Sequence, residues 1–194
     1  MGQHNENTTP AGELEKAAVQ DQQHVWHHLV QHKPFEDATP KVMVSGEGLR
    51  ITDDKGNEYL DAVAGAVWTV NVGYGRERIA KAVYDQIKTM NFFAGSMGSI
   101  PGAKFAEMLT DKMPGLSRVY YSNSGSEANE KAYKIVRQIA HQNNNGKKHK
   151  TLYRDRDYHG TTITALSSTG QEQRKDQYGP YTPGFVEVPH CCCY

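Results

Sequence analysis

The sequence has no excess charge, no long apolar run and no apolar leader. Its 194 residues carry 22 Lys and Arg against 22 Asp and Glu, so no net charge draws the chain to nucleic acid or to an anionic membrane. The longest nearly apolar run, Ala62–Trp68, is far shorter than the roughly 20 residues of a membrane-spanning helix. The polar opening Met1–Gly12 lacks the basic and apolar regions of a secretory signal. These absences predict a protein without nucleic-acid or membrane partners.

Cysteine is scarce and confined to Cys191–Cys193. Three contiguous cysteines form no disulfide framework, so we expect a reducing, cytoplasmic location. Along an extended strand their side chains alternate between two faces, which rules out a shared tetrahedral metal site. We therefore interpret them as the buried end of a strand. Four histidines share one face of a predicted helix and fit a polar helix surface better than a metal centre: His24, His27, His28 and His32. We predict no bound metal.

Apolar residues are also sparse, at 37% of the chain with Tyr included. Such a composition supports only a lean core, which further chain or a second subunit would help to cover. The sequence stops at Tyr194, directly after the cysteines, whereas natural C termini are more often polar and frayed. We expect these residues to be a fragment of a larger protein.

Composition and pattern divide the chain into four segments. They are a disordered lead (1–12), an N-terminal helix and β-meander (13–75), a helical bridge (76–100) and the first part of a larger domain (101–194). We expect a helix at Glu13–His32 and an antiparallel meander at Lys41–Asp61 with a tight turn at Asp54–Asn57. The Gly-rich stretch Ala62–Gly75 is expected to be a loop, and Arg76–Met90 a helix.

From Pro101 onward, predicted helices and strands alternate. The helices are Pro101–Lys112, Ser126–Gln142 and Thr161–Ser168, and the strands are Val119–Tyr121, Thr151–Tyr153 and Phe185–Val188. Strands separated by helices form parallel βαβ units. The predicted fold class is α/β, with a small α+β region in front of the first half of a mostly parallel, three-layer α/β domain.

The turn Ser124-Gly125-Ser126 leads from a predicted strand into a long helix. Free N–H groups and the positive end of the dipole at a helix start bind phosphate, and glycine lets the backbone approach closely. Ser124 and Glu127 also have the spacing of a capping box, which needs no ligand. Neither a P-loop nor a dinucleotide-binding fingerprint is present. On this segment alone, capping is favoured over anion binding.

Two further loops carry aromatic side chains suited to a binding site. Tyr158 and His159 follow the strand Thr151–Tyr153, and in a parallel sheet their loop lies on the same carboxyl edge as the Ser124–Ser126 turn. Tyr158 could stack on a planar heterocycle that His159 orients; a half-buried Tyr beside a hydrogen-bonded His is the alternative. Trp68 lies in the Gly-rich loop and is either a pocket wall or an anchor between domains.

Four motifs, in this order and spacing, resemble those of the class III (omega-type) aminotransferases of the fold-type I pyridoxal-phosphate superfamily. They are Glu58–Asp61, Trp68 with Asn71–Gly75, Asn123–Glu130 and Tyr158–Gly160. The resemblance runs from about His24 to the end of the sequence. Within the family, the stretches from Leu152 to Tyr194 are most similar to members that transfer the amino group of taurine to pyruvate.

The resemblance implies pyridoxal 5'-phosphate as cofactor and a site for it in this chain. The implied cofactor-binding residues are Ser124, Gly125, Ser126, Tyr158 and His159, with the turn on the phosphate and Tyr158 on the ring. The implied substrate-binding residues are Trp68, Phe93 and Tyr158. Because the family site forms at a homodimer interface, Phe92 and Phe93 face either their own site or that of the partner subunit.

The family's Schiff-base lysine, the Asp of the pyridine nitrogen and the carboxylate-binding Arg are all expected beyond Tyr194. No catalytic residue is therefore assigned here, and we expect the 194-residue polypeptide alone to be inactive. The intact enzyme is expected to convert taurine and pyruvate to sulfoacetaldehyde and alanine. β-Alanine or another ω-amine as donor is one alternative, and a non-catalytic phosphate- or cofactor-binding module is the other.

Overall fold

The computed structural model describes residues 10–192, which form two compact units that divide between Met97 and Gly98. The first unit contains helices α1 (Ala11–His24), α2 (Pro34–Asp37) and α3 (Glu77–Thr89), strands β1 (Met43–Glu47), β2 (Arg50–Asp53) and β3 (Glu58–Leu60), and a π-helical turn (Ala64–Trp68). The second contains helices α4 (Ile100–Thr110), α5 (Gly125–Asn144) and α6 (Ile163–Ser167), strands β4 (Thr151–Arg154) and β5 (Phe185–Val188), and a 3-10 turn (Glu172–Arg174).

The predicted lead falls mostly on residues 1–9, which lie outside the described residues. Within residues 10–192, no helix combines the length and the apolarity needed to cross a bilayer. The same part of the chain contains no cluster of three or more His, Cys, Asp or Glu side chains that could hold a metal ion.

The predicted meander is confirmed. Strands β1, β2 and β3 pair in that order, and both pairings are antiparallel. In the turn that joins β2 to β3, the N–H of Gly56 donates to the carbonyl of Asp53 over 3.0 Å. Gly56 has a φ of +80°, a conformation that glycine adopts without steric cost.

Asp53 holds this turn together from inside. Its side chain is almost fully buried and accepts hydrogen bonds from the backbone N–H groups of Lys55 and Asn57 at 3.0 and 2.8 Å. It also accepts from the Asn57 amide and, over 2.7 Å, from the Tyr59 hydroxyl. The Asn57 side chain is the largest of the causes that hold the pKa of Asp53 well below its usual range. The ionised carboxylate is therefore part of the folded turn.

Asp61 orders the predicted loop 62–75. Its carboxylate accepts from the N–H of Gly65 at 2.6 Å, the N–H of Val63 at 3.1 Å and the hydroxyl of Tyr74 at 2.8 Å. These bonds, that of Gly65 above all, lower the pKa of Asp61, and the bond to Asp61 raises the pKa of Tyr74. The stretch is thus more regular than predicted, because Asp61 fixes the start of the π-helical turn.

The helix predicted at Glu13–His32 is wrong beyond His24. Val25 is extended, with φ −107° and ψ 127°, and Leu29 has a φ of 57°. The apolar stripe that suggested a longer helix stays exposed: Val25, Trp26, Leu29 and Val30. A stripe without a packing partner contributes little to helix stability. The four histidines consequently share no helical face.

His27 and His32 instead form local contacts. Nε2 of His27 lies 2.6 Å from a carboxylate oxygen of Asp21, and Nε2 of His32 lies 2.9 Å from the carbonyl oxygen of His27. Both rings lie against Phe35, with centroids 5.2 and 5.9 Å from it. These contacts make the segment after α1 a compact turn.

The parallel pairing predicted for the second unit is confirmed. Strand β4 pairs with β5 in parallel, with Thr151 opposite Phe185. Helix α5 lies against this pair through Tyr133, whose ring contacts Phe185 edge-on with centroids 5.1 Å apart. The Tyr133 hydroxyl is 2.6 Å from Oγ of Ser168, in the most deeply buried stretch of the unit, residues 165–170.

Two expectations for this unit are wrong. Val119–Tyr121 is irregular, and Tyr120 and Tyr121 are exposed; a strand needs a hydrogen-bonded neighbour, and no described strand pairs with this segment. Cys191 and Cys192 are exposed rather than buried, because β5 ends at Val188. Cys193 lies outside the described residues.

Acid should destabilise the fold, and Asp53 should account for part of the loss. A carboxyl group whose pKa is lowered by folding stabilises the folded state above its unfolded pKa of about 3.9, and this contribution disappears as the pH falls through the folded pKa. Below about pH 4, we expect the urea concentration at the midpoint of unfolding to decrease as the pH is lowered. The decrease per pH unit should be smaller in the Asp53→Asn variant. Asp85→Asn, which removes an exposed carboxylate of α3, is the control. If the urea midpoint of this control depended on pH as that of Asp53→Asn does, the acid sensitivity could not be assigned to Asp53.

Candidate functional site

The capping box at the start of α5 is formed. Ser124 is the N-cap residue, and its Oγ accepts a hydrogen bond from the N–H of Glu127 over 3.2 Å. The carboxylate of Glu127 accepts in turn from the N–H of Asn123 over 2.8 Å. It thus reaches one residue further back than in the standard box, in which it accepts from the N-cap N–H.

The cap leaves the first two amides of the helix unused. Among the described residues, no group accepts a hydrogen bond from the backbone N–H of Gly125 or Ser126. A Cβ built at Gly125 meets no atom within 4 Å, so the space in front of the helix is open. Both amides stand at the positive end of a 20-residue helix. Capping and anion binding, two alternatives in the sequence, therefore use different N–H groups and are compatible.

Ser126 lies directly against the loop that contains Tyr158 and His159. Its Oγ accepts a hydrogen bond from the N–H of Thr161 over 3.1 Å. Gly160 is buried, with a φ of +137°, and a Cβ there would clash with Ser126 Oγ and lie 2.9 Å from the Cβ of Ala165. The two segments approach this closely because residue 160 has no side chain.

Two residues of the α5 motif that sequence reasoning gave no role join the loop to the helix. The side-chain amide of Asn129 donates to the carbonyl of His159 over 2.6 Å. Oε1 of Glu130 accepts from the Thr162 hydroxyl at 2.6 Å and from the N–H of Ala165 at 3.2 Å. Glu130 thereby caps α6, which has no side-chain cap from its own N-cap residue. The sequence feature that could have identified Asn129 and Glu130 is their position, one helical turn after Ser126 on the same face of the helix.

The backbone on both sides of Tyr158 is held, and its side chain is half exposed. The N–H of His159 donates to Oγ1 of Thr169 over 3.1 Å, and the carbonyl of Asp157 accepts from Gly170 over 2.8 Å. Tyr158 remains 44% exposed, and the guanidinium carbon of Arg174 lies 5.3 Å from the centroid of its ring. Arg174 was not among the residues selected from the sequence.

Trp68 and Phe93 lie in the first unit. Trp68 ends the π-helical turn with a φ of 43°, and Ala64 begins it with a φ of 51°. Positive φ at such residues is strained and concentrates at functional positions. Within this unit the rings of Trp68 and Phe93 are largely exposed, as is that of Phe92. The two predicted substrate-binding residues of this unit are thus only partly covered by it.

Comparison with known proteins gives one family. A family model described as aminotransferase class III matches residues 32–193. The hypotaurine/taurine–pyruvate aminotransferase of Paracoccus denitrificans is 59% identical over 182 residues, which are 94% of this chain and 40% of that protein. The taurine–pyruvate aminotransferase of Bilophila wadsworthia is 61% identical over 174 residues, or 90% and 38%. The chain thus spans about 40% of the length of these relatives.

Solved structures agree on the fold. An aminotransferase from Bacillus anthracis superposes with a TM-score of 0.88 at 38% identity, over 96% of this chain and 40% of that one. The omega transaminase of Pseudomonas jessenii, solved in complex with PMP, superposes with a TM-score of 0.85 at 30% identity, over 89% and 39%. The predicted α/β fold, as an incomplete fold-type I transferase, is confirmed.

Replacing Gly160 should separate the loop from the helix. We expect Gly160→Ala to lower the free energy of unfolding by about 1–3 kcal/mol, because alanine disfavours this φ and its Cβ overlaps Ser126. Gly125→Ala, with open space around the new methyl group, should change it by less than about 0.5 kcal/mol. Urea denaturation followed by circular dichroism measures both variants. Equal changes in the free energy of unfolding for the two variants would show that the stability of the protein does not depend on the close approach at Gly160.

Proposed function

Since the chain belongs to the class-III aminotransferase family, we propose that the protein transfers an amino group from an ω-amino donor to pyruvate. Taurine is the proposed donor, and sulfoacetaldehyde and alanine are the products. Identities of 59% and 61% to proteins named for taurine and pyruvate support this choice. The observation that carries the proposal is the pair of open amides at Gly125 and Ser126, beside the loop of Tyr158.

The residues at this helix start fit the phosphate of pyridoxal 5'-phosphate. The N–H groups of Gly125 and Ser126 supply two donors at the positive end of the dipole. Ser124 and Ser126 each use Oγ to accept from a backbone amide. Their hydroxyl hydrogens thus remain available to donate to phosphate oxygens. This set of backbone and hydroxyl donors binds a dianion without a lysine or arginine.

The half-exposed ring of Tyr158 fits the flat pyridine ring. Aromatic rings pair well in offset-stacked arrangements, and Asn129 and Thr169 hold the backbone at His159, next to Tyr158, in place. When bound, the cofactor supplies the electron sink that amino-group transfer requires. We propose that Tyr158 and His159 orient it, while Trp68 and Phe93 bind substrate.

The family resemblance and the composition support two further features of the protein. We propose a homodimer, in which Phe92 and Phe93 face their own site or the partner's, and a cytoplasmic location. The lysine that forms the Schiff base is not assigned to any residue of this chain. Cofactor binding and turnover are therefore measured on the full-length gene product.

Removing the Ser126 hydroxyl should weaken cofactor binding. We expect Ser126→Ala to raise the dissociation constant of pyridoxamine 5'-phosphate about 10- to 100-fold, because a hydrogen bond to a charged group contributes about 1.5–3 kcal/mol. Titration of the cofactor's fluorescence measures the constant. Ser99→Ala is the matched control, since Ser99 Oγ accepts from the N–H of Gly102 over 3.2 Å at the start of α4. Similar losses in both variants would contradict a phosphate contact at Ser126.

The donor can be identified by comparing turnover of taurine and β-alanine. With pyruvate as acceptor, we expect a higher kcat/KM for taurine, measured by alanine formation. Faster turnover of β-alanine would overturn the proposed donor and leave the reaction class unchanged. Absence of transamination with both donors and with other ω-amines, in a product that binds pyridoxamine 5'-phosphate, would instead favour a cofactor-binding module without catalysis.

A further inference from the structure

Arg174 carries a guanidinium that no described carboxylate neutralises. Among residues 10–192, the ion pairs within 4.0 Å do not include it. Its Nε is buried and has no hydrogen-bond partner among the residues that the structure describes, which is costly for a charged donor. Its guanidinium carbon lies 5.3 Å from the centroid of Tyr158, within the range of a cation–π interaction. Among the described residues, the ring of Tyr158 is thus the group that interacts with this cation.

Backbone contacts bring Arg174 to Tyr158. The N–H of Arg156 donates to the carbonyl of Gly170, and the N–H of Gly170 donates to the carbonyl of Asp157, both over 2.8 Å. A Cβ at Gly170 would lie 2.7 Å from the N of Arg156, so only glycine permits this approach. The 3-10 turn Glu172–Arg174 begins two residues later. Its start is therefore fixed against the segment that leads from β4 into Tyr158.

Tyr158 has few other side-chain restraints. The hydroxyl of Tyr158 forms no hydrogen bond with the described residues, and its ring is half exposed. An aromatic ring in such a setting changes rotamer readily. A cation held over the ring favours one orientation of it. Because Tyr158 is 44% exposed, part of its surface remains accessible to a second flat group.

We propose that Arg174 is a positioning residue for Tyr158: its guanidinium holds the phenol ring in the orientation that stacks on the pyridine ring of the cofactor. The proposal rests on the proposed function, because it takes Tyr158 as the stacking residue. Arg174 contacts Tyr158 and acts through it. Its loss therefore affects recognition of the cofactor's ring and spares recognition of the phosphate.

A double-mutant cycle in the full-length gene product tests this coupling. The variants are Arg174→Met, Tyr158→Leu and the double variant, each titrated with pyridoxamine 5'-phosphate and, separately, with inorganic phosphate. We expect Arg174→Met to weaken binding of pyridoxamine 5'-phosphate about three- to tenfold, as loss of a cation–π contact predicts, and to leave phosphate affinity unchanged. In the Tyr158→Leu background, Arg174→Met should have no further effect.

Two further variants serve as controls. Arg174→Lys keeps the cation and should recover part of the lost affinity, which also covers the case in which Arg174→Met fails to fold. Arg156→Met removes an equal charge from an exposed side chain in the segment between β4 and Tyr158, and this variant should bind as the unmodified protein does.

Three outcomes would overturn the proposal. They are an equal loss of phosphate affinity in Arg174→Met, an undiminished effect of this substitution in the Tyr158→Leu background, and no effect of it at all. The first two would mean that Arg174 acts on the ligand directly through its charge. If Tyr158→Leu alone bound pyridoxamine 5'-phosphate normally, stacking by Tyr158 would be wrong, which is a distinguishable failure of the proposed function.

Discussion

The close approach of Gly160 to Ser126 is the constraint on which the candidate site depends. It lets the N–H of Thr161 donate to Ser126 Oγ and brings the carbonyl of His159 within reach of Asn129. The helix start and the aromatic loop are 30 or more residues apart in the chain, and these contacts make them one surface. A side chain at residue 160 would push the loop away from the open amides, because Ser126 and the buried Ala165 leave no room for it.

The site divides its hydrogen-bonding groups between structure and binding. Ser124 accepts from the third amide of α5 and the Glu127 carboxylate accepts from the N–H of Asn123, while the amides of Gly125 and Ser126 find no acceptor among the described residues. Both serine oxygens accept from the protein and keep a hydrogen to donate. One short segment can therefore stabilise a helix and hold an anion at the same time. A helix cap and an anion site are thus not alternatives for these residues.

Sequence patterns predicted those features that depend on neighbouring residues. The meander, α3 and α5 were predictable because apolar periodicity, turn residues and caps act locally. The parallel β4–β5 pair was predictable from the alternation of strands and helices along the chain. The end of α1 and the segment Val119–Tyr121 were not, because each depends on whether a packing or pairing partner is present. Arg174 was missed for a related reason: it reaches Tyr158 through a backbone contact at Gly170 that no local pattern encodes.

The acidic residues of α5 show why an anion site here is physically reasonable. Glu127 and Glu130 stand within two turns of the open amides, and their charge would oppose a phosphate. Each carboxylate, however, accepts hydrogen bonds from neighbouring donors: Glu127 from Asn123, and Glu130 from Thr162 and Ala165. Those bonds partly compensate the negative charge and hold the segments around the open amides in place. An anion bound by fixed amides is also held in one place, since a backbone dipole cannot swing as a lysine can. Such a fixed anchor suits a cofactor whose ring has to lie against Tyr158.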